Sequence, residues 1–388
     1  MKPKVAIVEC PDYNQNNIDN AIQEGLHLLG GLEKFIKPGQ KVLLKVNGLM
    51  DAEPEAAATT HPTIVSALIR EINKLGAKTY VGDSPGNAAA NIAKTMEKAG
   101  FTQAAKEAGG EILNFQHYKI VDVPSPSSNK RIKMIKISKA VLDADVIINL
   151  PKLKTHTWTL FTGAVKNLFG VVPGFYKSKY HIIAPQPYEF SESLVDILEI
   201  VKPQLNIMDG VVGMEGAGPS AGPKRFMGAL FFSTDAVAMD AVCSEAINFK
   251  PFDIDTTKIA HQRKLGTGDL DQIEIIGTPL AKIKKHDWKH SASTYTLTRY
   301  IPNWLSWFFR PIIRYLRIDP EIIQEKCTKC LICVKNCPAK TIHFKNNIVK
   351  IDLSNCIMCY CCSELCPDQA IRHKRSWLVR LLNIKGPE

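Results

Sequence analysis

Eight cysteines near the C-terminus fall into two runs of one spacing. They are Cys327, Cys330, Cys333 and Cys337, followed by Pro338, and Cys356, Cys359, Cys362 and Cys366, followed by Pro367. Both runs read C-x2-C-x2-C-x3-C-P. Laying the second on the first puts Pro367 on Pro338 and Ile371 on Ile342, so the segment is an internal duplication. Thiolates are soft ligands, and three of them at every third position let one tight loop wrap three corners of an iron–sulfur cubane. The fourth cysteine, expected at the start of a helix, ligates the other cluster in modules of this type. The spacing predicts two [4Fe–4S] clusters. Cys327, Cys330, Cys333 and Cys366 hold one; Cys356, Cys359, Cys362 and Cys337 hold the other. Such crossing ties the halves together, so this module is expected to fold only with its metal. Zinc sites favour separated C-x2-C pairs, which this is not. Nor is it a disulfide scaffold, because nine of the 11 cysteines in 388 residues crowd between Cys327 and Cys366. Electron transfer in a reducing, cytoplasmic setting is the expectation.

From Pro320 to Ile371 the chain resembles the bacterial-type two-cluster ferredoxins. Ferredoxin loops usually carry glycine after the second cysteine of a run; here Leu331 and Tyr360 stand there, and their bulk is expected to shield the clusters. Cys361, a ninth cysteine beside a ligand, reads as a small buried filler. Cys10 and Cys243 lie in apolar runs and read as buried and inert.

A cluster module conducts, and the residues ahead of it hold candidates for its terminal. In IINLPKLKTH, the residues Lys152, Lys154 and His156 alternate. In an extended segment they point to one side. Lys166 and Asn167 follow on a predicted helix, and Lys45 and Asn47 close an earlier apolar run. Together they would make an electropositive floor for a carboxylate or phosphate. Asp83, Asp209, His156 and His61 offer acid–base groups or hard metal ligands. Taken singly, each has an ordinary role: Asp83 caps a helix, His61 opens one, Lys166 lies on a solvated face. MEGAGPSAGPKR lacks the Lys-Ser/Thr ending of a phosphate loop and reads as a flexible loop with amides toward an anion. His117 and His181 have no partner at metal spacing, and no hydrolytic Ser–His–Asp or Cys–His arrangement is present.

The elements that must position these residues alternate. KVLLKVN, KTYVGD, ADVIINL, LNIMDG, GALFFSTD and IEIIG read as strands, mostly separated by amphipathic helices such as His61–Gly76. The alternation predicts an α/β fold, a mainly parallel sheet with helices on both faces, plus a small C-terminal α+β ferredoxin-like domain. In such sheets ligands sit beyond the carboxyl ends of the strands, where Asn47, Asp83, Lys152 and Asp209 fall. The expected division is 1–285 for the α/β domain, 286–319 for an aromatic and basic linker, 320–372 for the cluster domain and 373–388 for a basic amphipathic tail.

The strings LLKVN, THPTIV, VGDSPG, NLPKLKTH, TGAVKNLFGVVPG and MDGVVGMEGAGPSAG resemble the family called domain of unknown function 362, over roughly 35–250. Val46 departs from the commoner KPN form but leaves Lys45 and Asn47 in place. That resemblance implies an iron–sulfur protein with no assigned reaction.

A net charge of +11 fits an acidic redox partner protein, an anionic small molecule or an anionic lipid surface; nucleic acid is not expected. No apolar run is long enough to span a bilayer. Peripheral membrane contact through 303–317 and 376–384 is one expectation, carried by Trp304, Trp307, Phe308, Trp377 and Leu382; docking of the cluster domain is the other. The sequence thus reads as a reductase-type redox protein passing electrons between two clusters and an anionic ligand, or a further metal, in the α/β domain. A carrier that only docks a partner, and a maturation or sensing protein, are the alternatives.

Overall fold

The computed structural model describes residues 2–86, 91–127, 131–291 and 317–381. Strands β1 (Lys4–Glu9), β2 (Lys41–Lys45), β3 (Lys78–Asp83) and β4 (Glu111–Asn114) come first. A separate hairpin of β5 (Ile120–Pro124) and β6 (Met134–Ser138) follows. Then come β7 (Val146–Asn149), β8 (Lys152–His156), β9 (Leu160–Thr162), β10 (Leu205–Met214), β11 (Lys224–Ser233) and β12 (Glu274–Gly277). All but the hairpin join one 10-stranded sheet with the path β12-β1-β11-β10-β7-β2-β3-β4. Neighbours are parallel except around β11, which runs antiparallel to β1 and β10. β8 adds to β10 in parallel and carries β9 antiparallel.

Side chains alternate across the sheet, so one strand feeds two cores. Val5 and Ile7 enter one core while Ala6 and Val8 enter the other; on β11, Phe231 and Phe232 divide the same way. Helices Gln15–Leu28 and Pro62–Lys74 cover one face, and Pro187–Val201 and Ala236–Ala246 cover the other. Burial on both faces is why these strands read as continuous apolar runs. Each fully buried Val, Ile or Leu contributes roughly 1.5–3 kcal/mol.

Pro151 sets up the site. β7 lies between β2 and β10, but Pro151 has no N–H to give a ladder. Past it the chain continues as β8 along β10 alone and leaves β2. This divergence opens a cleft at the carboxyl ends of the central strands. The predicted helix His61–Gly76 forms as Pro62–Lys74, with His61 as its cap and Gly76 beyond its end at φ +73°.

In the cysteine module, β13 (Ile318–Ile322) pairs antiparallel with β16 (Ile371–Arg375), and β14 (Ile342–Lys345) with β15 (Ile348–Ile351). The duplication extends to the backbone. Positive φ recurs at matched positions: Lys329 and Met358, Leu331 and Tyr360, Lys340 and Gln369. One expectation needs correction. Each fourth cysteine lies just past a short helix, Ile332–Asn336 or Cys361–Glu364, rather than at a helix start. The proline after it disfavours helical backbone at the preceding residue, and Cys337 is extended, at φ −65° and ψ 112°. Among the described residues no helix is long and apolar enough to cross a membrane. Trp304, Trp307, Phe308 and Leu382 lie outside the described residues.

Candidate functional site

Cys327, Cys330, Cys333 and Cys366 line one cavity, with about 350 Å³ of empty space; Cys337, Cys356, Cys359 and Cys362 line another, with about 330 Å³. Apolar residues such as Ile322, Leu331 and Val349 complete the first, and Ile342 and Ile351 the second. Among the described residues no three His, Cys, Asp or Glu side chains converge on a single ion. Four thiols around an apolar cavity suit a multi-iron cluster, whose ligands stand further apart than those of one tetrahedral ion. The fourth cysteine of each run accepts a backbone N–H on its sulfur: Thr341 to Cys337 at 3.4 Å and Ala370 to Cys366 at 3.2 Å. Such N–H···S bonds tune cluster potentials.

Tyr360 and Leu331 take the left-handed backbone, φ 58° and 60°, where glycine is usual because a Cβ costs energy there. Tyr360 is held by burial and by donating its hydroxyl to Ile318 O at 2.8 Å.

Between the module and the sheet lies a third cavity, of about 800 Å³ of empty space including its open mouth. From the sheet side come Asn47 after β2, Asp83 and Ser84 at the end of β3, His156 at the end of β8, and Lys166 and Asn167 after β9. The helix Gly174–Ile183 adds Lys177 and His181. The cysteine module supplies Asn336, Cys361, Glu364 and Leu365.

The lysines behind and beside this cavity divide by their partners. Lys45 pairs with Asp83 at 2.8 Å, and Asp83 also accepts the N–H of Gly48 and of Ser84. Gly170 crosses this pair so closely that a Cβ would sit 1.8 Å from Asp83 Oδ1, which demands glycine. Lys152 pairs with Asp209 at 2.8 Å in a closed cluster. There the Tyr13 hydroxyl donates to Asp209, accepts from Lys152, and stacks its ring on His61 at 3.7 Å. Among the described residues the Lys154 ammonium reaches only Asn47 Oδ1 (3.0 Å) and Ala58 O (2.6 Å), and burial, with Lys166 and Lys152 nearby, holds its pKa well below the usual lysine range. The Lys166 ammonium has no hydrogen bond or ion pair among the described residues; burial lowers its pKa, and Glu364 and Cys361 oppose that. Carboxamides from Asn47 through Asn167 and Asn149 to Asn206 hand hydrogen bonds along, at 2.8–2.9 Å, and fix the floor.

His156 is locked in one tautomer. Its Nδ1 accepts the backbone N–H of Trp158 (3.0 Å) and Thr159 (3.2 Å), so the ring proton sits on Nε2. Protonating Nδ1 would aim it at two donors. Burial, then the charges of Lys166 and Lys154, push the pKa well below that of free histidine. Nε2 comes 3.1 Å from Glu364 Oε1, yet the two are misaligned and neither makes a hydrogen bond. His181 Nδ1 and Ser84 Oγ also lack partners among the described residues. Burial, with Lys166, drives His181 to a pKa of about 3, and its ring stacks on Phe190 at 4.7 Å. Burial lowers Lys177 to about 7; its ammonium donates to Ser84 O and, at 3.3 Å, to Pro85 O. A buried cavity with several cationic and N–H donors and few acceptors suits an anion.

Asn47, Asp83, His156, Lys166 and Asn167 therefore meet at one cavity. Lys45 and Lys154 stand behind it, and Lys152 and Asp209 belong to the Tyr13 cluster instead. MEGAGPSAGPKR does not turn its first amides to an anion: Gly216 N donates to Lys289 O, Gly218 N to Gly216 O. Its Ser220 docks the cysteine module, donating to Glu364 O at 2.8 Å. Lys177, Glu364 and the cavity-facing place of Cys361 were not anticipated. A signal existed for two of them. The duplication puts Lys335 opposite Glu364 and Ile332 opposite Cys361, so the second half breaks the repeat at these cavity positions.

Residues 42–245 match the family model described as a domain of unknown function (DUF362), and residues 319–367 match a 4Fe-4S dicluster domain. A thylakoid-associated protein of Synechocystis is 34% identical over 267 residues, 69% of this chain and 80% of the relative. Among solved structures, the lactate racemase apoprotein from Thermoanaerobacterium thermosaccharolyticum shows a partial likeness. Its TM-score is 0.41 at 10% identity, covering 60% of this chain and 54% of that one. A Thermotoga maritima protein gives 0.36 at 14% identity, covering 59% and 57%.

Proposed function

Because the chain belongs to the DUF362 family and carries a 4Fe-4S dicluster domain, we propose that it is a reductase-type redox protein. It passes electrons between two clusters and a small anionic ligand held in the cavity between sheet and cysteine module. One observation carries this reading. The cavity wall includes sequence neighbours of the cysteines: Cys361 sits between Cys359 and Cys362, Asn336 precedes Cys337 and Leu365 precedes Cys366. A ligand there is adjacent to the cage that would hold a cluster.

In this reading Cys327, Cys330, Cys333 and Cys366 hold one [4Fe–4S] cluster, and Cys356, Cys359, Cys362 and Cys337 the other. The clusters supply one-electron storage. A reduced one-electron carrier protein with an acidic face, matching the net charge of +11, loads them. The ligand takes up an electron pair and two protons. Lys166, Asn167 and Asn47 bind its anionic group, and His156 Nε2–H donates to it. Lys154 adds charge from behind, and Lys45 holds Asp83. Proton delivery falls to Lys177, which titrates near neutrality in the cavity, because both oxygens of Asp83 are engaged and Asp209 lies in the Tyr13 cluster. Peripheral contact with a membrane surface through 303–317 and 376–384 is part of the proposal. Trp377 and Leu381 are exposed, and the Synechocystis relative is named thylakoid-associated.

The test is cluster re-oxidation. Full-length protein is reduced with dithionite without oxygen, freed of reductant and mixed with a low-molecular-mass cell extract. The expected result is oxidation that is fast in the parent and slow in Lys166→Ala. Equal rates in both would leave a carrier that only docks a partner.

A further inference from the structure

The cavity's unpartnered atoms specify more than an anion. Three donors or basic groups face it without partners among the described residues: His156 Nε2–H, His181 Nδ1 and the Ser84 hydroxyl, on residues that are at most 8% exposed. Opposite them stands, among the described residues, one unpartnered carboxylate oxygen, Glu364 Oε1, reaching in from the cysteine module. Buried polar atoms without partners are costly, and a site that holds both kinds is complementary to a ligand that offers both. A simple carboxylate supplies acceptors only. It would satisfy His156, Ser84 and Lys166 and leave Glu364 Oε1 facing a like charge.

Glu364 and His156 do not serve each other. Their atoms are 3.1 Å apart, but the geometry makes no hydrogen bond. A hydroxyl or amine placed beside them would donate to Glu364 Oε1, while the ligand's own oxygens accept from His156 Nε2–H and Lys166. The apolar side chains of Leu49, Phe169, Phe190 and Leu365 complete the wall and fit a short carbon skeleton between the polar groups.

We infer that the ligand is a small organic acid carrying a hydroxyl or amino group, and that Glu364 is the residue that reads this group. The inference rests on the proposal that an anion binds in this cavity. Glu364 belongs to the module that would carry the clusters, so the ligand is recognised only where electrons can reach it. A sheet domain without that module keeps the anion-binding lysines and loses the discrimination.

The experiment uses the full chain with its clusters, prepared without oxygen, and calorimetry with matched probes: succinate against malate, butyrate against 3-hydroxybutyrate, and inorganic phosphate. The expected result is about tenfold or greater preference for the hydroxy acid in each pair, the range of one hydrogen bond to a charged group. In Glu364→Met, which removes the acceptor at nearly the same length, with cluster absorbance confirming an intact module, that preference should collapse while succinate affinity holds or rises. Equal binding of both members of each pair by the parent, or a preference that survives in Glu364→Met, overturns this inference and leaves the anion reading standing. No binding of any probe, in a chain whose clusters are intact, overturns both.

Discussion

Glu364, carried by the cysteine module, brings its Oε1 to 3.1 Å from Nε2 of His156, at the end of β8 in the sheet domain. These two residues mark where the two parts of the chain share one cavity. His156 arrives there because Pro151 releases β8 from β2 while β10 still holds it. Glu364 arrives because Ser220 takes its carbonyl and Gln369, at 3.4 Å, takes that of Ser220. The contact therefore depends on how both chains of secondary structure end, and its chemistry is available only when both are folded.

Lys166→Ala should weaken binding of any anion in the cavity by roughly 10- to 100-fold, the loss of a charge-assisted hydrogen bond. The iron content should not change, since Lys166 lies outside both cysteine cavities. Calorimetry and iron analysis on the same sample read the two quantities separately. Unchanged affinity would remove Lys166 from the site.

Cysteine exchange has a crossed signature. Cys366→Ser should disturb the same electron paramagnetic resonance signal as Cys327→Ser, and Cys337→Ser the same one as Cys356→Ser, because these pairs line common cavities. Cys361→Ala should keep the iron of both clusters. A Cys366→Ser spectrum matching that of Cys356→Ser would contradict the ligand sets.

Two glycine substitutions at equivalent turns should differ. Leu331 and Tyr360 share a left-handed backbone that glycine adopts at no steric cost, a relief of about 1–2 kcal/mol. Tyr360→Gly also deletes a buried ring and its bond to Ile318 O, so it should be clearly the more destabilising of the two in denaturant unfolding. Leu331→Gly should fall near neutral. The opposite ranking would contradict the packing described for Tyr360.

Much of the framework was legible in the sequence. The cysteine runs declare themselves by spacing. The strands declare themselves by apolar runs, and Asn47, Asp83, His156, Lys166 and Asn167 by lying at strand ends. What was hidden depends on tertiary pairing. Alternation put Lys152 beside Lys154 and His156, but whether a buried lysine is neutralised depends on the strand opposite it. β10 presents Asp209 to Lys152, and nothing equivalent to Lys154. Tyr13 lies far from Asp209 in sequence, and no local pattern links them. Glu364 lies between Cys362 and Cys366, and only the docking of the module against the sheet turns it into the cavity.

Acid should act through His181. Its pKa is about 3 in the fold against 6.5 in the open chain, so between these values the unfolded state binds the extra proton. Stability then rises with pH across this window and is lost as pH falls below 6.5. Asp240, raised to about 7 by burial, titrates in the same window with the opposite sign, so the parent's total slope is a sum of groups. The difference between parent and His181→Phe isolates one. Below pH 6.5 the parent should lose about 1.4 kcal/mol per pH unit relative to that variant in anaerobic denaturant unfolding. Parallel pH profiles would show that His181 is not held neutral.

The most direct measurement of the central claim is native mass spectrometry of the full chain purified without oxygen, beside Lys166→Ala treated identically. Both proteins should carry the mass of two [4Fe–4S] clusters, and the parent alone one further small molecule. Zinc in place of iron, or a bound molecule retained equally by Lys166→Ala, would contradict it.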